Sequence, residues 1–210
     1  MPESAQSARR RIRNGPSTES RILDTAENLF AAYGFDAVSI SQLATAAGVT
    51  IGALYHHFAS KEALYAAVAR RVFTAKSIPP AAVTEPVGTP RVRLTRLISW
   101  FAGTLILDKN FGLLLMRELL DPRPAMPELI GQELFRGQFD LCKELLRELV
   151  PGVNADEAVA STVALLFGFT NLKGMQAILP GIRNSFERPE AISERIVSLL
   201  LHGLQQDDVH

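Results

Sequence analysis

Four arginines, Arg9, Arg10, Arg11 and Arg13, lie within five positions with no acidic residue among them. Residues 1–77 contain nine Lys or Arg against six Asp or Glu, net +3; with 22 of each sign in the whole chain, the remainder is net −3. Such an asymmetry is expected where one end of a molecule faces an anion, although a solvated tail has the same composition. Further along, Thr50, Tyr55, His56 and Lys61 place two hydroxyls, an imidazole and an ammonium within twelve positions.

Other chemistries find little support. The adjacent His56 and His57 point about 100° apart on a helix, and His202 and His210 stand at the far end of the chain, so a metal site is not expected. The single cysteine, Cys142, excludes an intramolecular disulfide and a cysteine zinc cluster. No Gly-rich phosphate loop, Gly-x-Ser-x-Gly segment or nucleophile–base–acid arrangement is present, so no catalytic residue or cofactor is assigned and an enzyme is disfavoured. With 47% hydrophobic and 21% charged residues and a mean hydropathy of +0.11, the chain is globular in composition. Its basic N-terminus lacks the apolar run of a secretory signal. The longest apolar stretches, 97–107 and 158–172, fall short of the roughly 20 residues of a membrane span. A reducing cytoplasm is the expected location.

Positioning the anion-facing residues requires particular elements. Residues 1–16 end in Asn14-Gly15-Pro16, a turn signature closing a loose basic arm. Ile22, Ala26, Leu29, Phe30 and Tyr33 then trace one apolar helix face that stops at Gly34. Ser39 and Gln42 have capping-box spacing and start a short helix carrying Ile40, Leu43, Ala44 and Ala47 inward to a stop at Gly48. Thr50 caps a second short helix, about 51–57, and Ser60 caps a longer one, 61–76, with Leu64, Val68 and Val72 on one face. Two short helices joined by a Gly-containing turn make a helix-turn-helix. This geometry exposes Thr50, Ile51, Ala53 and His56 where a recognition helix meets base edges.

The run from Arg21 to Val68 resembles the N-terminal domain of the tetracycline-repressor (TetR) family of bacterial transcription regulators. The resemblance rests on Ala47-Gly48-Val49-Thr50, Gly52-x-Leu54-Tyr55-x-His57-Phe58 and Ser60-Lys61-Glu62-x-Leu64, in order and without gaps. It implies that Thr50, Tyr55 and Lys61 contact phosphates, that Ile51, Ala53 and His56 face bases, and that Gly52 permits close approach to the DNA backbone. Ser39 is counted with these DNA-facing residues. The competing reading for Tyr55 is core packing, which is also the reading for Leu54, while His57 is expected to pack near Phe58. Beside this motif the arginine arm reads as a minor-groove contact, with solubilising charge as its alternative.

Beyond it, the four prolines and one glycine of residues 77–90 predict no regular element, and residues 78–90 read as a linker between a DNA-binding domain, 17–77, and a second domain, 91–210. Helices are expected over 91–107, 111–120, 127–150, 155–176 and 189–204. The fold class is therefore all-α, about nine helices, with a three-helix helix-turn-helix domain followed by a helical effector-binding and dimerisation domain. The 155–176 helix lacks a clean polar face, and the last helix is apolar on two sides, through Ile192, Ile196, Leu199, Leu200 and Leu204 and through Val197 and Leu201. The family resemblance implies that these two helices form a homodimer interface; an ordinary monomer core is the alternative. Trp100, Phe101, Phe111, Met116, Phe135, Phe139, Phe167 and Met175, with Thr104, Arg117, Gln138, Cys142 and Asn171 as polar groups, are candidates for a small-molecule pocket or for plain packing. The expected function is a ligand-responsive regulator, most simply a repressor. It would bind palindromic operator DNA as a homodimer and be released by a hydrophobic or aromatic effector. A dimeric helical scaffold acting through protein contacts is the alternative.

Overall fold

The computed structural model describes residues 17–77, 79–120, 133–172, 177–179 and 188–204. These residues form ten α-helices and no strand: α1 Thr18–Tyr33, α2 Ile40–Ala47, α3 Ile51–His57, α4 Lys61–Lys76, α5 Ala81–Thr84, α6 Pro90–Leu107, α7 Lys109–Leu120, α8 Arg136–Leu149, α9 Ala155–Asn171 and α10 Pro189–Leu204. The chain divides into two compact units, one ending at Ala69 and the other beginning at Arg70, so the division falls inside α4. None of the described helices is long and apolar enough to cross a membrane.

In the first unit, Ile22, Ala26 and Phe30 of α1 are buried with Leu43, Ala44 and Ala47 of α2, Leu54 of α3, and Leu64, Tyr65 and Val68 of α4. The i, i+4 spacing on α1 and α4 produces this core. Phe30, Phe35 and Tyr65 close one end of it, with Tyr65 edge-on to Phe30 at 5.1 Å and to Phe35 at 5.3 Å between ring centroids. Tyr33 departs from the expected pattern: at 65% exposure it lies off the α1 core stripe. It borders a groove with Leu29, Ala37 and Val38 instead.

In the second unit α6 is the central helix, packed by α5, α7, α8, α9 and α10. A line of edge-on rings, Phe73–Phe111, Phe111–Phe101 and Phe101–Phe135, runs through it at centroid distances of 5.9, 6.0 and 5.8 Å. The buried hydroxyls of Thr162 and Thr170 donate back to the carbonyls of Ala158 and Leu166, at 2.7 and 2.8 Å, which satisfies them without a tertiary partner.

Two sequence expectations change here. Residues 78–90 contain a helical turn, α5. Pro80 precedes its first position, where the missing N–H of proline matters least, and the four residues 81–84 have no proline among them; Val83 is buried. Ten helices among the described residues thus replace about nine. The α9 helix is buried on one side only: Ala158, Val159, Thr162, Leu166 and Thr170 are covered, whereas Ala160, Ser161 and Ala164 face solvent. On α10, Leu199 is exposed at 51%, while Ile192, Ile196, Val197, Leu200 and Leu201 are buried. The expected helices over 127–150 and 155–176 are described only as Arg136–Leu149 and Ala155–Asn171.

Candidate nucleic-acid interface and effector cavity

The helix-turn-helix is fixed by a chain of caps. Ser39 Oγ accepts from Gln42 N–H at 3.2 Å while Gln42 Oε1 accepts from Ser39 N–H at 2.8 Å, closing a reciprocal capping box at the start of α2. Gly48 ends α2 in the left-handed region, φ 65° and ψ 40°, and the next amide, Val49 N–H, returns to the Ala44 carbonyl at 2.9 Å. Thr50 then caps α3, its Oγ1 accepting from Ala53 N–H at 3.1 Å. Ser60 does the same for α4 with Ala63 N–H at 3.1 Å. Three residues thus separate α2 from α3, and two of them are caps.

This arrangement sorts the side chains of α3. Leu54 is fully buried; Ala53 is half-buried; Thr50, Ile51, Gly52, Tyr55, His56 and His57 face solvent. Tyr55, at 47% exposure, is therefore not a core residue. His57 is also exposed, with its ring 6.4 Å from that of Phe58, so it neighbours Phe58 without being enclosed by it. Lys61 lays its ammonium over the Phe35 ring, 4.2 Å from the centroid, which orients the cation at the N-terminus of α4. A Cβ added to Gly52 would meet only Thr50 Oγ1, at 4.0 Å, so nothing within the described residues demands glycine there. Ser39 lines a shallow groove of about 520 Å³ with Ser41, Gln42 and Thr45. The exposed hydroxyls of Ser41 and Thr45, four apart on α2, are the signal for these missed neighbours. Arg9, Arg10, Arg11 and Arg13 lie outside the described residues. Among the described residues no group of three His, Cys, Asp or Glu is placed to hold a metal.

The family model for bacterial regulatory proteins of the tetR family matches residues 22–68, the segment that these caps organise. The chain carries the TetR-family domain. This domain is 46% identical over 50 residues to the transcriptional repressor Rv1474c of Mycobacterium tuberculosis, a stretch that makes up 24% of this chain and 27% of that repressor. The chain thus spans about a quarter of the length of the curated relatives it matches. Likeness of fold extends further. The regulator FadR of Bacillus subtilis, solved in complex with stearoyl-CoA, superposes with a TM-score of 0.64 at 20% identity, covering 87% of this chain and 97% of that one. HlyIIR, a haemolysin II transcriptional regulator, superposes with a TM-score of 0.66 at 21% identity over 88% and 97%.

Outside the TetR-family domain, the residues expected to meet a ligand divide among three places. Trp100, Phe101, Phe135, Phe139 and Cys142 converge on a small cavity of about 70 Å³ between α6, α8 and α9, with Gln138 and Thr162 as further polar members. Met116 and Phe167, together with Phe139, line a surface cleft of about 490 Å³. Thr104 and Trp100 border an open cleft of about 1450 Å³ along α6, α7 and α10. Arg117 and Asn171 line none of the three; Asn171 is exposed and donates to the Phe167 carbonyl at 2.9 Å. Met175 lies outside the described residues. Helical periodicity identified the apolar faces but not which of them meet.

Within the small cavity, burial pushes the Cys142 thiol up to about 12, so it is a neutral apolar wall and no nucleophile. The Gln138 amide donates through Nε2 to the Ser77 carbonyl just after α4. Its Oε1 is buried without a hydrogen-bond partner among the described residues, a deficit worth about 1–3 kcal/mol. Nearby, Lys76 at the end of α4 pairs with Asp108 at 3.2 Å, and Asp108 also caps α7 by accepting from Phe111 N–H at 3.0 Å.

Proposed function

We propose that this TetR-family chain is a ligand-responsive transcriptional repressor that binds palindromic operator DNA as a homodimer. The observation that carries the reading is the exposed face of α3: a capped seven-residue helix anchored by one buried leucine, with Thr50, Ile51, Gly52, Tyr55 and His56 open to solvent. In the proposed complex Ile51, Ala53 and His56 meet base edges. Ser39, Thr50, Tyr55 and Lys61 take phosphates, Gly52 admits the backbone, and Arg9, Arg10, Arg11 and Arg13 add contacts in the minor groove.

Dimerisation is assigned to α9 and α10. Ala160, Ser161 and Ala164 form a solvent-facing small-residue strip on α9, and Leu199 is an exposed leucine on the α10 helix packed beside it. Paired copies would present two α3 helices to half-sites about one helical turn, roughly 34 Å, apart. The effector is a hydrophobic or aromatic molecule received in the second unit, which changes operator affinity by binding two conformations unequally.

Selection of bound DNA from a random pool, followed by anisotropy titration at two salt concentrations with random competitor, tests the reading. Competitor-resistant binding of two protomers per palindrome, with affinity falling steeply as salt rises, is the expected result. Failure to enrich any sequence would leave the scaffold alternative.

A further inference from the structure

Between Arg21 and Arg70, Lys61 is the only lysine or arginine, against the four carboxylates Asp24, Glu27, Asp36 and Glu62. Outside the arginine arm, whatever permanent positive charge the helix-turn-helix can offer a phosphate comes from this one ammonium. Its setting therefore matters. Ser60 caps α4 through the Ala63 N–H, which puts Lys61 at the first position of the helix, half-buried, with its ammonium 4.2 Å from the centroid of the Phe35 ring. None of the ion pairs between described residues includes Lys61.

The choice of an aromatic partner has an electrostatic consequence. A carboxylate beside the ammonium would cancel its charge and take its N–H groups. A ring face attracts the cation through its quadrupole, without supplying a counter-charge, so the N–H groups that point away from the ring can still donate. Two carboxylates, Asp36 and Glu62, stand next to Phe35 and Lys61 in the sequence, yet the ammonium lies on the ring.

The ring itself is fixed by the core of the unit. Phe35 lies in the connection from α1 to α2, where its carbonyl accepts the Val38 N–H at 3.3 Å. Its side chain stacks on Phe30 of α1, with centroids 5.8 Å apart, and meets Tyr65 of α4 edge-on at 5.3 Å. The core sets the ring and the ring sets the cation.

We propose that Phe35 is a positioning residue for DNA binding: it holds the Lys61 ammonium ordered, and with its charge intact, before a backbone phosphate arrives. The inference rests on the operator-binding reading above and adds to it a residue that acts through Lys61 instead of touching DNA. A lysine that is ordered only on binding costs the complex its side-chain entropy, whereas one held beforehand has already lost it.

A double-mutant cycle on the selected DNA tests the role, with Phe35→Met removing the ring but keeping an apolar side chain and Lys61→Gln removing the cation. Phe35→Met alone is expected to weaken binding by about twofold or more per protomer, hence about fourfold or more for two protomers on a palindrome. In the Lys61→Gln background the same change is expected to leave affinity unaltered. Phe35→Tyr, which keeps the ring face, is expected to bind as the wild type does. A residue that only packs the core weakens binding whether or not Lys61 is present, so equal losses in the two backgrounds overturn the role. A loss in Phe35→Tyr as large as that in Phe35→Met, or no loss in either, overturns it too. Should Phe35→Met not fold, Phe35→Leu takes its place. The contact is also read without DNA: the ring current of Phe35 is expected to shift the ε-methylene protons of Lys61 upfield in the NMR spectrum of the wild type, and absence of that shift overturns the contact itself. Failure of the wild type to bind any selected sequence overturns the regulator reading and this role with it, whereas intact binding without coupling overturns the role of Phe35 alone.

Discussion

Thr50 does two things with one oxygen. Its Oγ1 accepts the Ala53 N–H and so starts α3, which leaves the hydroxyl proton for the proposed donation to a phosphate. The two roles come apart in Thr50→Asp, since aspartate caps as well as threonine but repels phosphate. Unfolding in urea is expected to shift by less than about 0.5 kcal/mol, while DNA affinity falls at least about tenfold; a parallel loss of both would tie the residue to folding alone. The two glycines flanking it make a second contrast. Gly48→Ala meets no atom within 4 Å but must hold φ 65° with a Cβ, at a cost of about 1–2 kcal/mol. Gly52→Ala is expected to leave stability unchanged or slightly higher, because alanine is the better helix former, yet to weaken DNA binding by placing a methyl where the DNA backbone is proposed to approach. Equal DNA affinity for Gly52→Ala and wild type would remove Gly52 from the interface.

At the level of elements, the helix-turn-helix was legible because each boundary is written in a local signal: Ser39 with Gln42, Gly48, Thr50 and Ser60 all act on backbone groups within four residues. Their roles need no knowledge of the rest of the fold. The short α5 was missed for the converse reason, since prolines at 79, 80, 86 and 90 suggested a break although they bracket a stretch just long enough for one turn. The effector candidates were harder still. Phe101, Phe135 and Phe139 share a cavity while Met116 and Phe167 do not, and the difference depends on how α6, α8 and α9 lean together, which periodicity does not encode. An element-level prediction concerns α4: Lys61→Gln removes the proposed phosphate contact and is expected to reduce the slope of log affinity against log salt by about 0.9. An unchanged slope would leave the ammonium to its contact with Phe35.

For the molecule as a whole, the exposed leucine of α10 and the buried cysteine of α8 give separable tests. Leu199→Glu changes a solvent-facing position while Ile192, Ile196 and Leu200 stay packed, so it is expected to give a folded monomer with weakened palindrome binding. Sedimentation that shows an undiminished dimer would place the interface elsewhere. Cys142 contributes to the pH dependence of stability at alkaline pH. Folding raises its thiol from the ordinary 9.0 to about 12 through burial. Below pH 9 it is protonated in both states; between 9 and 12 the unfolded chain ionises and the folded chain does not, so stability falls by up to about 1.4 kcal/mol per pH unit. Cys142→Ala is expected to flatten that part of the unfolding profile, and an identical slope in the variant would assign the loss to other groups.

The spacing between α2 and α3 has a consequence for how such a protein can change. Gly48, Val49 and Thr50 are all committed to backbone bonds, so no residue of the turn is uncommitted. An added residue that winds into α3 would turn its outward side chains by about 100° and carry the anchoring Leu54 out of the core. The turn therefore behaves as a fixed reading frame. On the proposed reading, new operator preferences arise by exchanging letters at 51, 53 and 56, one at a time and with the scaffold intact, whereas a single insertion or deletion there scrambles every letter at once.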